Sequence, residues 1–192
     1  MKKYGLNIVS LFSGAGGLEI AACSSGKIKK IFSTDSNNIF LETINNNLKR
    51  HFHGIEHDSL VVDAHKLYGS NIKCYFDGKI DLVMGGPPCD DFTIYGKRKG
   101  PKGDKAPLIY EYLRLVNEIQ PTAFLFENVP NLNRQFKGYF AEFIDKIKQH
   151  KFHYKYQILK AYEYGAPTLR ERIILVGSKN PNWLNSFSMP AA

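Results

Sequence analysis

The sequence predicts an α/β domain built on a mostly parallel sheet flanked by helices, and three observations carry that prediction. Short apolar runs of strand length, residues 6–12, 80–84, 123–126 and 173–176, are separated by stretches with helical periodicity, the alternation expected of βαβ units. A glycine-rich turn, Gly14-Ala15-Gly16-Gly17, follows the first run directly and opens a helix near Leu18. Asp35, Asp63, Cys89 and Glu127 each stand at or just beyond the end of a strand-like run, and open α/β sheets place their ligands at the carboxyl ends of strands.

The chain's 192 residues, 43% of them hydrophobic, suffice for one globular domain with a core, expected over residues 1–178 with a short tail at 179–192. No apolar run approaches the length needed to cross a bilayer, and residues 1–5 lead into the first strand without the apolar stretch of a signal peptide. A cytoplasmic chain with no membrane partner is expected. Cys23, Cys74 and Cys89 form no CxxC pair and no even framework, which argues against disulfides and against a zinc site. The net charge of +8 points to a polyanionic partner.

Taken in order, residues 6–12 (LNIVSLF) form the first strand and run into Ser13 and the glycine turn. There the backbone can approach a ligand closely, and helix-terminal N–H groups offer donors to a carboxylate or a phosphate. The spacing is GxGG, so the GxGxxG dinucleotide fingerprint is not met. A second strand, residues 30–34, ends in Asp35, about twenty residues beyond the turn and suited to accept from both ribose hydroxyls. A helix with apolar positions Ile39, Phe40, Ile44 and Leu48 follows, then a short strand at residues 60–62 ending in Asp63. Asp63 either meets an adenine amino group or caps a helix. Residues 45–58, with three histidines at irregular spacing, read as a solvated loop without chemistry.

The strand at residues 80–84 ends in Gly85-Gly86-Pro87-Pro88-Cys89. The glycines allow a sharp turn and the prolines fix φ on approach to the thiol; the residue is either a nucleophile or a buried structural cysteine. Asp90, Asp91 and Phe92 lead into a glycine-rich loop carrying Lys97, Arg98, Lys99, Lys102 and Lys105, which reads as a phosphate-gripping lid. A helix over residues 107–119 presents Leu108, Tyr112, Leu115, Val116 and Ile119 on one face and stops before Pro121. The strand at 123–126 delivers Glu127; desolvation would raise its pKa and suit it to donate a proton to a heterocycle nitrogen. A helix at 135–149, a β-rich segment at 154–164 and a last strand at 173–176 complete the chain. Arg170 and Arg172, at i and i+2, point to the same side of an extended segment.

These motifs, in this order and spacing, closely resemble the cytosine-5 DNA methyltransferase family: LFSGAGG, Asp35 and Asp63, GGPPC followed by Phe92 and GKRKG, Glu127-Asn128-Val129, and YGAPTLRER. The resemblance covers nearly the whole chain. It implies a Rossmann-like, S-adenosylmethionine-dependent methyltransferase fold, and methyl transfer from S-adenosyl-L-methionine to carbon 5 of a cytosine flipped out of double-stranded DNA. Carried over by position, it implies that Cys89 is the nucleophile, that Glu127 contacts the base, and that Arg172 binds its carbonyl oxygen with Arg170 nearby. It matches Phe12, Ser13, Gly14, Gly16, Gly17, Asp35, Ser36, Asp63, Pro88 and Leu108 to the cofactor pocket or its edge.

The departures are specific. Ser10 stands at a position often acidic in the family, Asp90-Asp91 replaces a Gln-containing pair, and Thr168 stands where a Gln usually precedes the arginines. Two carboxylates beside Cys89 would raise its pKa and oppose phosphate. The family's target-recognition region and last motifs have no counterpart after Val176. The expectation is therefore the catalytic part of a split restriction-modification methyltransferase, with target recognition on a second polypeptide. An inactive truncated relic, a nucleic-acid-binding scaffold and an RNA cytosine-5 methyltransferase are the alternatives.

Overall fold

The computed structural model describes residues 5–92 and 100–191. The chain divides into two compact units, residues 1–86 with 114–122 and residues 87–113 with 123–192.

The first unit contains β1 (Leu6–Leu11), α1 (Gly17–Ser24), β2 (Ile28–Asp35), α2 (Asn38–His51), β3 (Glu56–Val61), α3 (Gly69–Lys73) and β4 (Leu82–Gly85). Its strands run in the order β3-β2-β1-β4, every neighbouring pair parallel. Ile8, Val9 and Leu11 on β1, Ile31 and Phe32 on β2, and Val83 and Met84 on β4 are buried. Continuous apolar burial of this kind is what a parallel sheet covered on both faces requires. Helix α2 packs Leu41, Ile44 and Leu48 inward at helical spacing. Asn37 caps it by accepting from the Ile39 N–H, and Lys49, Arg50 and His51 stand in its last turn, where cations complement the helix dipole.

Here the structure corrects one expectation. Residues 45–58 are not a loop: α2 runs to His51 and β3 starts at Glu56. Burial of Leu48 carries the apolar stripe of α2 through the run of asparagines. Among the described residues strand β3 pairs on one side only, and Lys30 on β2 holds Asp58 at 2.7 Å and Glu56 at 3.8 Å, so it needs no apolar signature in its first half.

The second unit contains β5 (Ala123–Asn128), α5 (Asn131–Arg134), α6 (Lys137–Gln149), β6 (His153–Lys160), β7 (Glu171–Ser178) and α7 (Pro181–Ser186). Helix α4 (Leu108–Ile119) contributes residues through Leu113 to this unit and Arg114 onward to the first. The order is β5-β7-β6, with β7 antiparallel to both neighbours. Phe124 and Phe126 on β5, Ile173 and Leu175 on β7, and Phe140, Phe143 and Ile147 on α6 form its core. The Phe126 and Phe143 rings lie 4.8 Å apart. Burying each such side chain contributes about 1.5–3 kcal/mol. Among the described residues no helix is long and apolar enough to cross a membrane.

Candidate active site

In the second unit the turn through Pro87 and Cys89 is tied to the end of β5. Asn128 donates from Nδ2 to the Pro87 carbonyl at 3.2 Å, and its Oδ1 accepts from the Val129 N–H at 2.9 Å. The sequence places the end of β5 at Phe126, but the strand continues through Glu127 and Asn128, which pair with Ile174 and Ile173 of β7. Arg172 shares a sheet face with Ile174, so it stands diagonally across from Glu127, within reach of a long side chain.

The contact is close. Arg172 Nε lies 2.7 Å from Glu127 Oε1, and Arg170 approaches the same oxygen at 3.7 Å, so both arginines reach one carboxylate, as their i, i+2 spacing predicts. Glu171, between them, pairs instead with Arg134 of α5 at 2.6 Å, a contact that lowers its pKa. Glu127 is thus ion-paired, where the sequence suggests a desolvated carboxyl able to hold a proton. Cys89 is half-buried, and burial pushes its thiol pKa up. The Arg172 guanidinium pulls it down, while Glu127 and Asp90 push it up further.

The two carboxylates after Cys89 differ. Asp90 is exposed and binds Lys105 Nζ at 2.6 Å, whereas Asp91 is 4% exposed and accepts from the Lys105 backbone N–H at 2.8 Å. Lys102 and Lys105 are both exposed. Lys97, Arg98 and Lys99 lie outside the described residues.

In the first unit the glycine loop has three positive φ values, 53° at Phe12, 54° at Gly14 and 92° at Gly16. Gly16 cannot be replaced without strain, because a Cβ there would stand 2.7 Å from Ile44 Cγ1. Around Gly14 and Gly17 the space is open. Asp35 closes the loop: its Oδ2 accepts from the Gly14 N–H and its Oδ1 from the Asn37 N–H, both at 2.9 Å. Ser13 is half-buried, its N–H on the Thr34 carbonyl at 3.0 Å, and Ser36 is exposed. Asp63 caps the short 3-10 helix Ala64–Lys66, accepting from the His65 N–H at 2.9 Å. Pro88 and Leu108, both half-buried, belong to the second unit.

Behind the glycine loop lies a residue the sequence reading passes over. Glu19 of α1 is fully buried, with Oε1 3.4 Å from Ser33 Oγ, which in turn lies 3.0 Å from His57 Nε2. Burial raises the Glu19 pKa, opposed in part by the hydroxyls of Ser10, Ser13 and Ser33, and burial lowers that of His57. No group of three or more His, Cys, Asp or Glu suited to a metal ion occurs among the described residues.

Comparison with known proteins adds to this geometry. A family model described as C-5 cytosine-specific DNA methylase matches residues 6–192. The chain is 30% identical over 188 residues to Type II methyltransferase M.Bsp6I of Bacillus sp. (strain RFL6), a match spanning 96% of the chain and 56% of that protein. It is 31% identical over 187 residues to Type II methyltransferase M.AquIA of Picosynechococcus sp., spanning 90% of the chain and 71% of the relative. A crystal structure of an Escherichia coli prophage-encoded putative DNA modification methyltransferase superposes with a TM-score of 0.71 at 30% identity, covering 91% of the chain and 47% of that protein. The chain therefore spans about half the length of most curated relatives it matches.

Proposed function

The chain belongs to the C-5 cytosine-specific DNA methylase family, and from that premise we propose that it is the cofactor-binding and catalytic part of a DNA (cytosine-5) methyltransferase with Cys89 as nucleophile. The observation that carries the reading is the Glu127–Arg172–Arg170 cluster, in which the charges of Arg172 and Glu127 act on the Cys89 thiol.

The cofactor is S-adenosyl-L-methionine, and the first unit's residues fit it. The backbone is open at Gly14 and Gly17, which leaves room for the cofactor beside the loop of Phe12, Ser13, Gly14, Gly16 and Gly17. The start of α1 offers N–H donors to a carboxylate. Asp35, with Ser36 beside it, keeps lone pairs for a ribose diol while bracing Gly14, and Asp63 faces the same task at the adenine. When bound, the cofactor supplies an electrophilic methyl group on a sulfonium.

The target base must first leave the stacked duplex, because its reacting carbons are inaccessible within it. Cys89 Sγ then adds to carbon 6, forming an S–C bond as the carbon 5–carbon 6 π pair is displaced into the ring and makes carbon 5 nucleophilic. Glu127 binds or protonates ring nitrogen 3 and Arg172 the carbonyl oxygen, so the charge created by addition meets groups already in place. After methyl transfer a base takes the proton from carbon 5, the electron pair re-forms the ring double bond, and Cys89 departs as thiolate. Arg172 also holds the thiolate's charge, and Arg170 supports Glu127 at the same oxygen. Lys97, Arg98, Lys99, Lys102 and Lys105 grip backbone phosphate; Lys105 must first exchange its partner Asp90.

Target recognition belongs, in this reading, to a second polypeptide. The test is tritium transfer from methyl-labelled S-adenosylmethionine into double-stranded DNA, by the 192-residue chain with and without the product of a neighbouring reading frame carrying the missing motifs. Transfer only with both chains is expected. Robust sequence-specific transfer by the single chain would contradict the split.

A further inference from the structure

Asp91 lies two residues beyond Cys89 and is buried, and among the described residues its carboxylate forms no side-chain ion pair. A carboxylate taken out of water is costly unless hydrogen bonds compensate it, and the compensation here is structural. Its Oδ2 accepts from the Lys105 backbone N–H at 2.8 Å, and its main-chain carbonyl accepts from the Gly100 N–H at 2.9 Å. Gly103 lies so close that a Cβ at that position would overlap the Asp91 carboxyl group. Residues 100–106 are themselves wound by Gly103 N–H to Gly100 O at 3.0 Å and Ala106 N–H to Gly103 O at 3.3 Å. On the nucleophile side, the Phe92 N–H donates to the Cys89 carbonyl at 2.8 Å. The Phe92 ring packs at 5.3 Å on both Phe136 and Tyr139, and the Tyr139 hydroxyl donates to the Ala106 carbonyl at 2.6 Å.

We propose that Asp91 is the positioning residue of the Cys89 turn, its buried carboxylate latching residues 100–105 onto residues 89–92 so that the thiol is held fixed relative to Glu127 and Arg172. Burial and its backbone partners keep Asp91 from touching substrate, so it acts through the turn rather than on the base. Asp90 has the separate, exposed task of pairing with the Lys105 side chain. The inference rests on the reading of Cys89 as the nucleophile, but its geometry can be tested without methyl transfer.

The experiment compares the wild-type chain with Asp91→Ala, Gly103→Ala and Asp91→Asn. Three readouts are followed: trypsin cleavage after Lys102 and Lys105, iodoacetamide alkylation of Cys89 across pH by peptide mapping, and S-adenosylmethionine binding by calorimetry. Asp91→Ala removes the latch and Gly103→Ala evicts it from the opposite side, so both are expected to raise cleavage and Cys89 alkylation at pH 8 about tenfold. Asp91→Asn keeps a carbonyl acceptor for the Lys105 N–H, and both rates should stay within about twofold of wild type. Cofactor affinity should be unchanged in all three variants. Unchanged cleavage and alkylation in Asp91→Ala and Gly103→Ala would overturn the latch, as would an Asp91→Asn variant as loose as Asp91→Ala, since that would assign the effect to charge. A wild-type chain that fails to bind S-adenosylmethionine would sink the methyltransferase reading and leave the latch to be decided by proteolysis and alkylation.

Discussion

Cys89 carries a thiol whose pKa burial raises and the Arg172 guanidinium pulls the other way. Arg172 is therefore expected to set the pH at which the nucleophile forms, because only the thiolate attacks. In Arg172→Gln the thiol loses its stabilising charge and its pKa rises. The midpoint of Cys89 alkylation against pH should move to higher pH, while Arg172→Lys, which keeps a charge, moves it less; a midpoint unchanged in Arg172→Gln would remove Arg172 from the thiol's surroundings. Asp35 gives a second residue-level prediction. Losing its charge-assisted hydrogen bonds costs roughly 1.5–3 kcal/mol, so Asp35→Ala should weaken S-adenosylmethionine binding about tenfold to over a hundredfold by calorimetry. Equal affinity would take Asp35 out of the site. Cys89, Glu127 and the arginines are legible in the sequence because strand ends and an i, i+2 spacing announce them. Asn128 and Asp91 are not, because their tasks are set by contacts to Pro87, 41 residues away, and to Lys105, 14 residues away.

At the scale of elements, α1 carries a consequence of burying Glu19 beneath the glycine loop. Its folded-state pKa lies above the ordinary carboxylate value, chiefly because burial disfavours the charged form. In the native state it holds its proton to higher pH than in the unfolded chain, so stability falls as pH rises from about 4.3, the ordinary value, through the raised folded value. His57 acts oppositely: its lowered pKa makes stability fall as pH drops below about 6.5, through the lowered folded value. Glu19→Gln removes only the first effect. Urea midpoints measured across pH should show wild type losing ground to Glu19→Gln with rising pH, and parallel curves would contradict the buried-acid account. The sequence hides Glu19 because an acidic residue in a helix's first turn reads as dipole-complementing surface. It also hides the starts and ends of elements where polar residues take part in pairing. Glu56 to Ser59 of β3 and Glu127-Asn128 of β5 lie in strands that are apolar only in part, and an apolar pattern identifies a strand better than it bounds one. The central runs of β1, β4, β5 and β7 are legible because each is buried almost continuously.

For the whole molecule, membership of the C-5 cytosine-specific DNA methylase family and a net charge of +8 fit together. A positively charged protein attracts the phosphate backbone without reading sequence, which leaves site selection to base contacts. The central claim is chemical: Cys89 forms a bond to carbon 6 of a cytosine in DNA. It is tested most directly by incubating the protein, with the second polypeptide proposed to supply target recognition, on duplex DNA carrying 5-fluorocytosine in the presence of S-adenosylmethionine. Fluorine cannot leave carbon 5 as a proton does, so elimination stalls and the thioether persists. A denaturation-resistant protein–DNA adduct mapped to Cys89, and absent from Cys89→Ser, is the predicted result. An adduct that survives in Cys89→Ser would contradict the account, because another residue would then be the nucleophile.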